Sequence, residues 1–156
     1  MYRGMKIGDF GNLKNGELLG QGTKRKVYTI EDHPTLVLKV VDDDYEFANV
    51  FEFNTWNRMQ YCEFISKWLA PCVCISKNGR ALIQYRTHPV EECLLPVRAP
   101  NWLTDFKRSN WGILLPQPGE KSPNPYTVCH DYENNIMMEV GASRRLKKVK
   151  WRTGYA

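Results

Sequence analysis

NGELLGQGTKRKVYTI, Asn15 to Ile30, decides how this chain folds. The apolar pair Leu18-Leu19 runs into Gly20-Gln21-Gly22, and after a polar break the apolar pattern resumes at Val27, Tyr28 and Ile30. Two short runs flanking a glycine-containing turn predict a strand–turn–strand hairpin. The turn EDHPT follows, and LVLKVV, Leu36 to Val41, predicts a third strand. Its one charge, Lys39, sits among apolar neighbours. A buried ammonium needs an anionic partner, so Lys39 either finds one or faces solvent from an edge strand.

Asp42-Asp43-Asp44 has the character of a helix start, where acids complement the helix dipole. A helix is expected from Tyr45 to Gln60, with Tyr45, Ala48, Glu52, Trp56 and Met59 on one face. Glu52 on that face requires a cation, although Phe47, Val50, Phe51 and Phe53 make the buried side ambiguous. A short helix over Tyr61 to Leu69 would end at Pro71. CVCIS and RALIQYRT flank Asn78-Gly79, a strong hairpin signal. Beyond Thr87, Pro89, Pro96 and Pro100 exclude a long helix. LTDFKRSNWGILL, Leu103 to Leu115, reads as a polar loop closed by a strand. The proline-rich loop PQPGEKSPNP precedes another strand at Tyr126 to Cys129, which runs into Asp131. Trp102 and Trp111 read as core residues.

The expected fold is α+β. An antiparallel sheet of about five strands carries one main helix, and a reduced second lobe consists of loops and a hairpin. The organisation predicted is a lead-in over 1–16, a first lobe over 17–88, a reduced lobe over 89–140 and a basic tail over 141–156. With 42% hydrophobic and 25% charged residues the chain is an ordinary globular composition, which excludes global disorder. No apolar run approaches the roughly 18 residues of a membrane span, and MYRGMKIGDF has no apolar signal region. Five cysteines without a C-x-x-C pair, and scattered His33, His88 and His130, point to reduced thiols rather than a metal site, and to a cytoplasmic protein. Net charge is +5. Arg144 to Arg152, RRLKKVKWR, holds six basic residues and no acid, so the basicity is local. This arm is expected to be solvated. Its interleaved Leu146, Val149 and Trp151 leave room for docking on an acidic partner or, less favoured, nucleic acid.

Several features now stand in order: a glycine turn offering backbone N–H groups, a mid-strand lysine, a helical glutamate, then Asp105, Lys107 and Asn110 in D-x-K-x-x-N spacing, and Asp131. Phosphoryl transfer needs such a set, because a triphosphate must be held, its charge neutralised, and a hydroxyl aimed at it. On these residues the chain resembles the protein kinase-like superfamily, in its very small or divergent bacterial and phage members, including the kinase domain carried by T7-like phages. GQGTKRKV is similar to the glycine-rich loop, with Gly20 and Gly22 at its first two glycines and Val27 at the valine that covers adenine. VLKV resembles the third-strand motif and TDFKRSN the catalytic loop.

The resemblance implies ATP and Mg²⁺ as cofactors and transfer of phosphate to protein Ser/Thr hydroxyls, in a phage or bacterial host-takeover setting. Lys39 would contact phosphate and pair with Glu52. Asp105 would be the base, Lys107 a phosphate contact, and Asn110 and Asp131 the metal ligands. Gln84 to His88 would be the hinge holding adenine, with Gln84 and Arg86 as cofactor-binding residues. The partner implied is a host or cellular protein, and the reduced lobe leaves room for a homodimer. Departures from the family pattern keep a second class open. Arg25 replaces the third glycine, Leu103-Thr104 the His-Arg, and Glu133 the final glycine of D-F-G. The short stretch between His88 and Asp105 excludes the usual supporting helix, and no A-P-E segment follows Asp131. These departures suit a pseudokinase-like module that binds and redirects a host protein without turnover.

Overall fold

Local signals in the first third of the chain become a meander of strands. A computed structural model describes residues 10, 15–43, 46–116 and 125–152, with only the backbone of Glu139. Most of the expected lead-in, Asp44-Tyr45, most of the proline-rich loop and the last four residues lie outside the described residues. Strand β1 (Asn15–Gln21) pairs antiparallel with β2 (Lys26–Ile30), and Gly22 N–H donates to Arg25 O at 2.9 Å to close the turn. Strand β3 (His33–Val40) begins three positions before the Leu36 expected from sequence. The turn is only Glu31-Asp32, with Asp32 at φ 65°, a left-handed conformation that Asp tolerates and that tight hairpins demand. Pro34 is tolerated near the strand start, next to an irregularity in the β2–β3 register.

Helix α1 spans Ala48–Met59, a later start than the Tyr45 expected. The acidic run does not open it. Asp42 forms an ion pair with Lys26 at 3.6 Å, and Glu46 Oε1 accepts from Ala48 N–H at 3.0 Å instead. The helix buries Ala48, Asn49 and Glu52, while Phe47 and Phe51 are exposed and meet edge to face at 6.5 Å. Its inward face is therefore the polar one. Strands β4 (Cys72–Ile75) and β5 (Ala81–Tyr85) form the expected Asn78-Gly79 hairpin, with Gly79 at φ 73°. Asn78 Oδ1 accepts from Ser76 Oγ at 2.8 Å and from Arg80 N–H at 3.1 Å.

The sheet order is β1-β2-β3-β5-β4, antiparallel throughout. Central β3 buries Leu36 and Leu38 with Ile30, Cys74 and Ile83, while alternation turns Lys39 to the face that carries α1. The α+β class, the five-stranded antiparallel sheet and the single main helix are as the sequence predicts.

The chain divides into two units, residues 1–58 with 71–86, and residues 59–70 with 87–156. In the second unit the predicted helix over Tyr61 to Leu69 is a single turn, α2 (Glu63–Ser66). Beyond it the backbone leaves helical geometry to pair with a strand: Ala70 N–H donates to Cys129 O and Cys129 N–H to Trp68 O, both at 2.8 Å. A three-stranded sheet runs β6 (Thr87–His88), β8 (Trp111–Leu114), β9 (Tyr126–Cys129), with a separate ribbon of β7 (Arg98–Pro100) and β10 (Leu146–Lys148), and a short helix α3 (Met137–Val140).

Trp102 and Tyr132 are fully buried, and Tyr132 Oη donates to Ala70 O at 2.8 Å. Lys147 lies over the Phe106 ring and donates to Asn101 O at 3.2 Å; burial lowers its pKa. None of the five cysteines is in a disulfide. Among the described residues no helix is long and apolar enough to cross a membrane.

Gly112 marks the tightest backbone approach in this unit. A Cβ there would lie 2.6 Å from Thr87 Oγ1 and 2.8 Å from His88 O. Gly112→Ala is expected to cost about 1–3 kcal/mol through overpacking and to loosen β6. Hydrogen exchange at Ile113 and Leu114 checks it; unchanged protection and an unchanged denaturation midpoint would refute this reading of the contact.

Candidate functional site

The first unit gathers its chemistry on one face of the sheet. Gly20 pairs with Val27, Val27 with Lys39, and Lys39 with Leu82. Directly paired residues of antiparallel strands share a face. Gly20, Val27 and Lys39 therefore form one transverse row. Val37 pairs with Gln84, which places Gln84 on the same face two residues along. A Cβ on Gly20 would meet nothing within 4 Å, and one on Gly22 only Arg25 O at 3.9 Å. Neither glycine has a positive φ. Packing thus does not demand these glycines, which leave the hairpin tip open to close approach from outside.

Lys39 is 2% exposed and Glu52 fully buried, and Lys39 Nζ lies 2.7 Å from Glu52 Oε2. Arg25 shares the same carboxylate, its Nη1 donating to Oε2 at 2.7 Å and its Nη2 to Oε1 at 3.4 Å. Asn49 completes the arrangement. Its Oδ1 accepts from Arg25 at 3.2 Å and its Nδ2 donates to Lys39 O at 3.2 Å. Burying such groups costs several kcal/mol per ion, and apolar residues of similar volume are commonly as stable or more so. A buried cluster of this kind therefore points to a purpose other than stability.

The sequence does not single out Asn49, and it shows Arg25 only as the residue in the place of a third glycine. Arg25 lies inside the run Lys24-Arg25-Lys26, which looks like a solvated tip, yet only Lys24 is exposed there. No local pattern distinguishes the buried member of three consecutive cations.

Gln84 lies in β5 between β3 and β4, fully buried, with Nε2 3.9 Å from Cys72 Sγ. The N–H groups of Tyr85 and Arg86 donate to Pro71 O at 2.9 Å and Thr35 O at 2.8 Å. Thus two amides of the expected hinge are already bonded at the sheet margin.

The second unit assembles the later residues. The carbonyl of Asp105 accepts from Lys107 N–H and from Asn110 Nδ2, each at 2.9 Å. Asn110 sits in a 3₁₀ turn (Arg108–Asn110), is buried, and its carbonyl accepts from His130 N–H at 2.8 Å. The structure so brings the Asp105–Asn110 loop beside the turn that carries Asp131, which is half-buried. His130 ties the same turn down through Thr87 Oγ1 and Ser109 O, each at 2.7 Å. Lys107 is exposed, with Nζ 4.0 Å from Asp105 Oδ2.

The Asp105 carboxylate also has a partner that sequence did not suggest, for Arg152 Nη2 donates to Oδ1 at 2.6 Å. The arm expected to be solvated is built into the unit. Val149 is buried, and the Trp151 ring meets Phe106 at 5.6 Å and Trp111 at 5.5 Å. Its apolar residues interleaved among cations were the available signal.

The donor set suits a hard divalent cation. The Asn110 amide nitrogen is committed to Asp105, which leaves the amide oxygen as the end that can face a cation, and Asp131 carries a carboxylate on the adjoining turn. The first unit is thus defined as a five-stranded antiparallel sheet whose central lysine is paired to a helical glutamate. A search for matches finds no protein-family model and no curated protein that corresponds to this chain.

Proposed function

We propose that the chain is a minimal kinase-like protein that binds ATP with Mg²⁺ and transfers phosphate to a Ser/Thr hydroxyl of a cellular protein. The observation that carries this reading is the row Gly20–Val27–Lys39 with Lys39 held by Glu52 at 2.7 Å. An open glycine tip admits phosphate oxygens to the backbone of the turn beyond Gly22, whose own N–H is committed to Arg25 O, and a lysine fixed by a buried carboxylate presents its ammonium with little freedom left to lose. Val27 offers an apolar contact on the same face.

In the second unit, Asn110 and Lys107 N–H clamp the Asp105 carbonyl and fix the loop. The Asp105 carboxylate orients the acceptor hydroxyl and takes its proton. The hydroxyl oxygen forms a bond to the γ-phosphorus as the bond from that phosphorus to the β,γ-bridging oxygen breaks, and ADP leaves with that electron pair. Asn110 and Asp131 are the residues that would hold Mg²⁺, which supplies neutralisation of phosphate charge when bound.

The experiment is transfer of labelled γ-phosphate together with thermal stabilisation by ATP and Mg²⁺. Ligand at 100 times Kd stabilises by about 2.7 kcal/mol. Lys39→Ala is expected to lose both signals. Asp105→Ala and Asp131→Ala are expected to lose transfer. Equal labelling by all three variants sinks the proposal.

A second reading is favoured by two observations. Arg25, in the position of a third glycine, is locked onto Glu52, and Asp105 is held by Arg152. A pseudokinase-like binding module would stabilise with nucleotide, or not at all, and label nothing.

A further inference from the structure

Residues 146 to 152 make a graded series of contacts that ends on Asp105. Leu146, Lys147 and Lys148 pair with Pro100, Ala99 and Arg98. Val149 N–H donates to Val97 O at 2.9 Å, and Trp151 Nε1 to Pro96 O at 3.1 Å. Arg152 N–H donates to Phe106 O at 3.0 Å, next to the residue that its guanidinium grips.

Two features separate this end contact from ordinary structural support. The Asp105 and Arg152 side chains are 24% and 61% exposed, so the ion pair is of the solvent-screened kind that contributes little stability. It occupies the carboxylate oxygen that an acceptor hydroxyl would use. Further back, Lys148 lies directly opposite Arg98, a like-charge pair unfavourable to the β7–β10 ribbon, although Arg98 Nη2 also donates to Leu146 O at 3.4 Å. The segment is thus anchored by Lys147, Val149 and Trp151, and its side-chain hold is weakest at its end, at the exposed Arg152–Asp105 pair.

We propose that this segment is an intramolecular occupant of the acceptor site, with Arg152 capping Asp105, and that the acceptor which displaces it is a basic polypeptide segment. Naming the site an acceptor site rests on the kinase-like reading above. The occupant itself defines the class of acceptor, because it is rich in Lys and Arg, contains no acid and places a guanidinium on the carboxylate.

The test uses the full chain and its own sequence as probe. A fluorescein-labelled peptide of residues 144–152, RRLKKVKWR, is titrated into wild type, Arg152→Ala and Trp151→Ala/Arg152→Ala. Arg152→Ala is expected to bind it about two- to fivefold more tightly, the change that corresponds to releasing a partly exposed ion pair, and the double variant more tightly still. Adding Asp105→Ala to Arg152→Ala is expected to remove the gain.

Arg152→Ala alters an exposed side chain, so it keeps the test decisive even where the double variant does not fold. No gain in Arg152→Ala, or a gain that survives Asp105→Ala, overturns the proposal. Transfer to the peptide of residues 144–153, which adds the hydroxyl of Thr153, separates the two readings. A gain in binding with no labelling in any variant supports occupancy of the Asp105 site and removes the catalytic reading. Weaker labelling by Arg152→Ala at unchanged peptide affinity means that Arg152 assists Asp105, and overturns the strap.

Discussion

Glu52→Ala is expected to destabilise the first unit by about 3–5 kcal/mol, the range for removing one partner of a buried ion pair. The carboxylate is shared by Lys39 and Arg25, whose side chains are only 3% and 6% exposed. Its loss leaves two desolvated cations facing each other across the space it filled. Glu52→Gln keeps the volume and one acceptor oxygen and should fall between the two. Replacing the three charged residues by apolar ones, as in Arg25→Met/Lys39→Met/Glu52→Leu, removes the charges together and should recover most of the loss, short of the parent because Asn49 Oδ1 loses its Arg25 donor. That triple variant is also expected to lose all response to ATP. Recovery of stability without recovery of nucleotide response is what a functional cluster predicts and a structural one does not.

The readout must be local, because the chain has two units and a single unfolding free energy describes neither. Hydrogen exchange at the β3 amides reports the first unit. Trp56 is its one tryptophan, while Trp68, Trp102, Trp111 and Trp151 belong to the second. A Glu52→Ala protein within 1 kcal/mol of the parent at β3 would mean that the cluster tolerates an uncompensated charge, and with it the assigned role of Glu52 would go.

The sequence made the first sheet legible because its information there is local. The glycine turn between β1 and β2, the alternation in Leu36 to Val41 and the Asn78-Gly79 turn each predict a feature from residues close in the chain. The helix was harder. The expected face with Ala48 and Glu52 is the one turned inward, together with Asn49, while Phe47 and Phe51, which left the apolar side ambiguous, are 50% and 58% exposed. Hydropathy misleads where the buried face is ionic; chemical demand does better. Lys39 in an apolar strand needed an anion, and Glu52 was the residue on the next element able to supply it.

The second unit was least legible for the opposite reason. Its strands β6, β7 and β10 are two or three residues long and pair with distant segments, so they leave no periodic trace. The D-x-K-x-x-N spacing located Asp105 and Asn110 on one loop. It carried no hint that Arg152, from the far end of the described chain, would reach the same carboxylate.

Trp111→Ala is expected to show how far that far end depends on the loop. Trp111 is 3% exposed and lies among three other aromatic side chains. It stacks on Phe106 at 6.3 Å and meets Trp68 and Trp151 edge to face at 6.5 and 5.5 Å. Truncation of a buried aromatic of this size costs about 3–5 kcal/mol, from lost transfer free energy and the cavity left behind. Unfolding followed by tryptophan emission should show the loss, while β3 hydrogen exchange in the first unit changes less. Trp151→Ala, at a half-buried position, should cost less.

The two substitutions should not add. Removing either ring takes away the same edge-to-face contact, so the double variant is expected to lose about 0.5–1.5 kcal/mol less than the sum. The chemical consequence follows from connectivity. Trp151 is the anchor immediately before Arg152, so a chain that loses its seat for Trp151 no longer delivers the guanidinium to Asp105. Trp111→Ala should therefore raise affinity for the peptide of residues 144–152 under conditions where the second unit remains folded. Strict additivity of the two tryptophan substitutions would show that Trp151 is not seated on Trp111, and the route by which the chain end reaches Asp105 would have to be drawn through the β7–β10 ribbon alone.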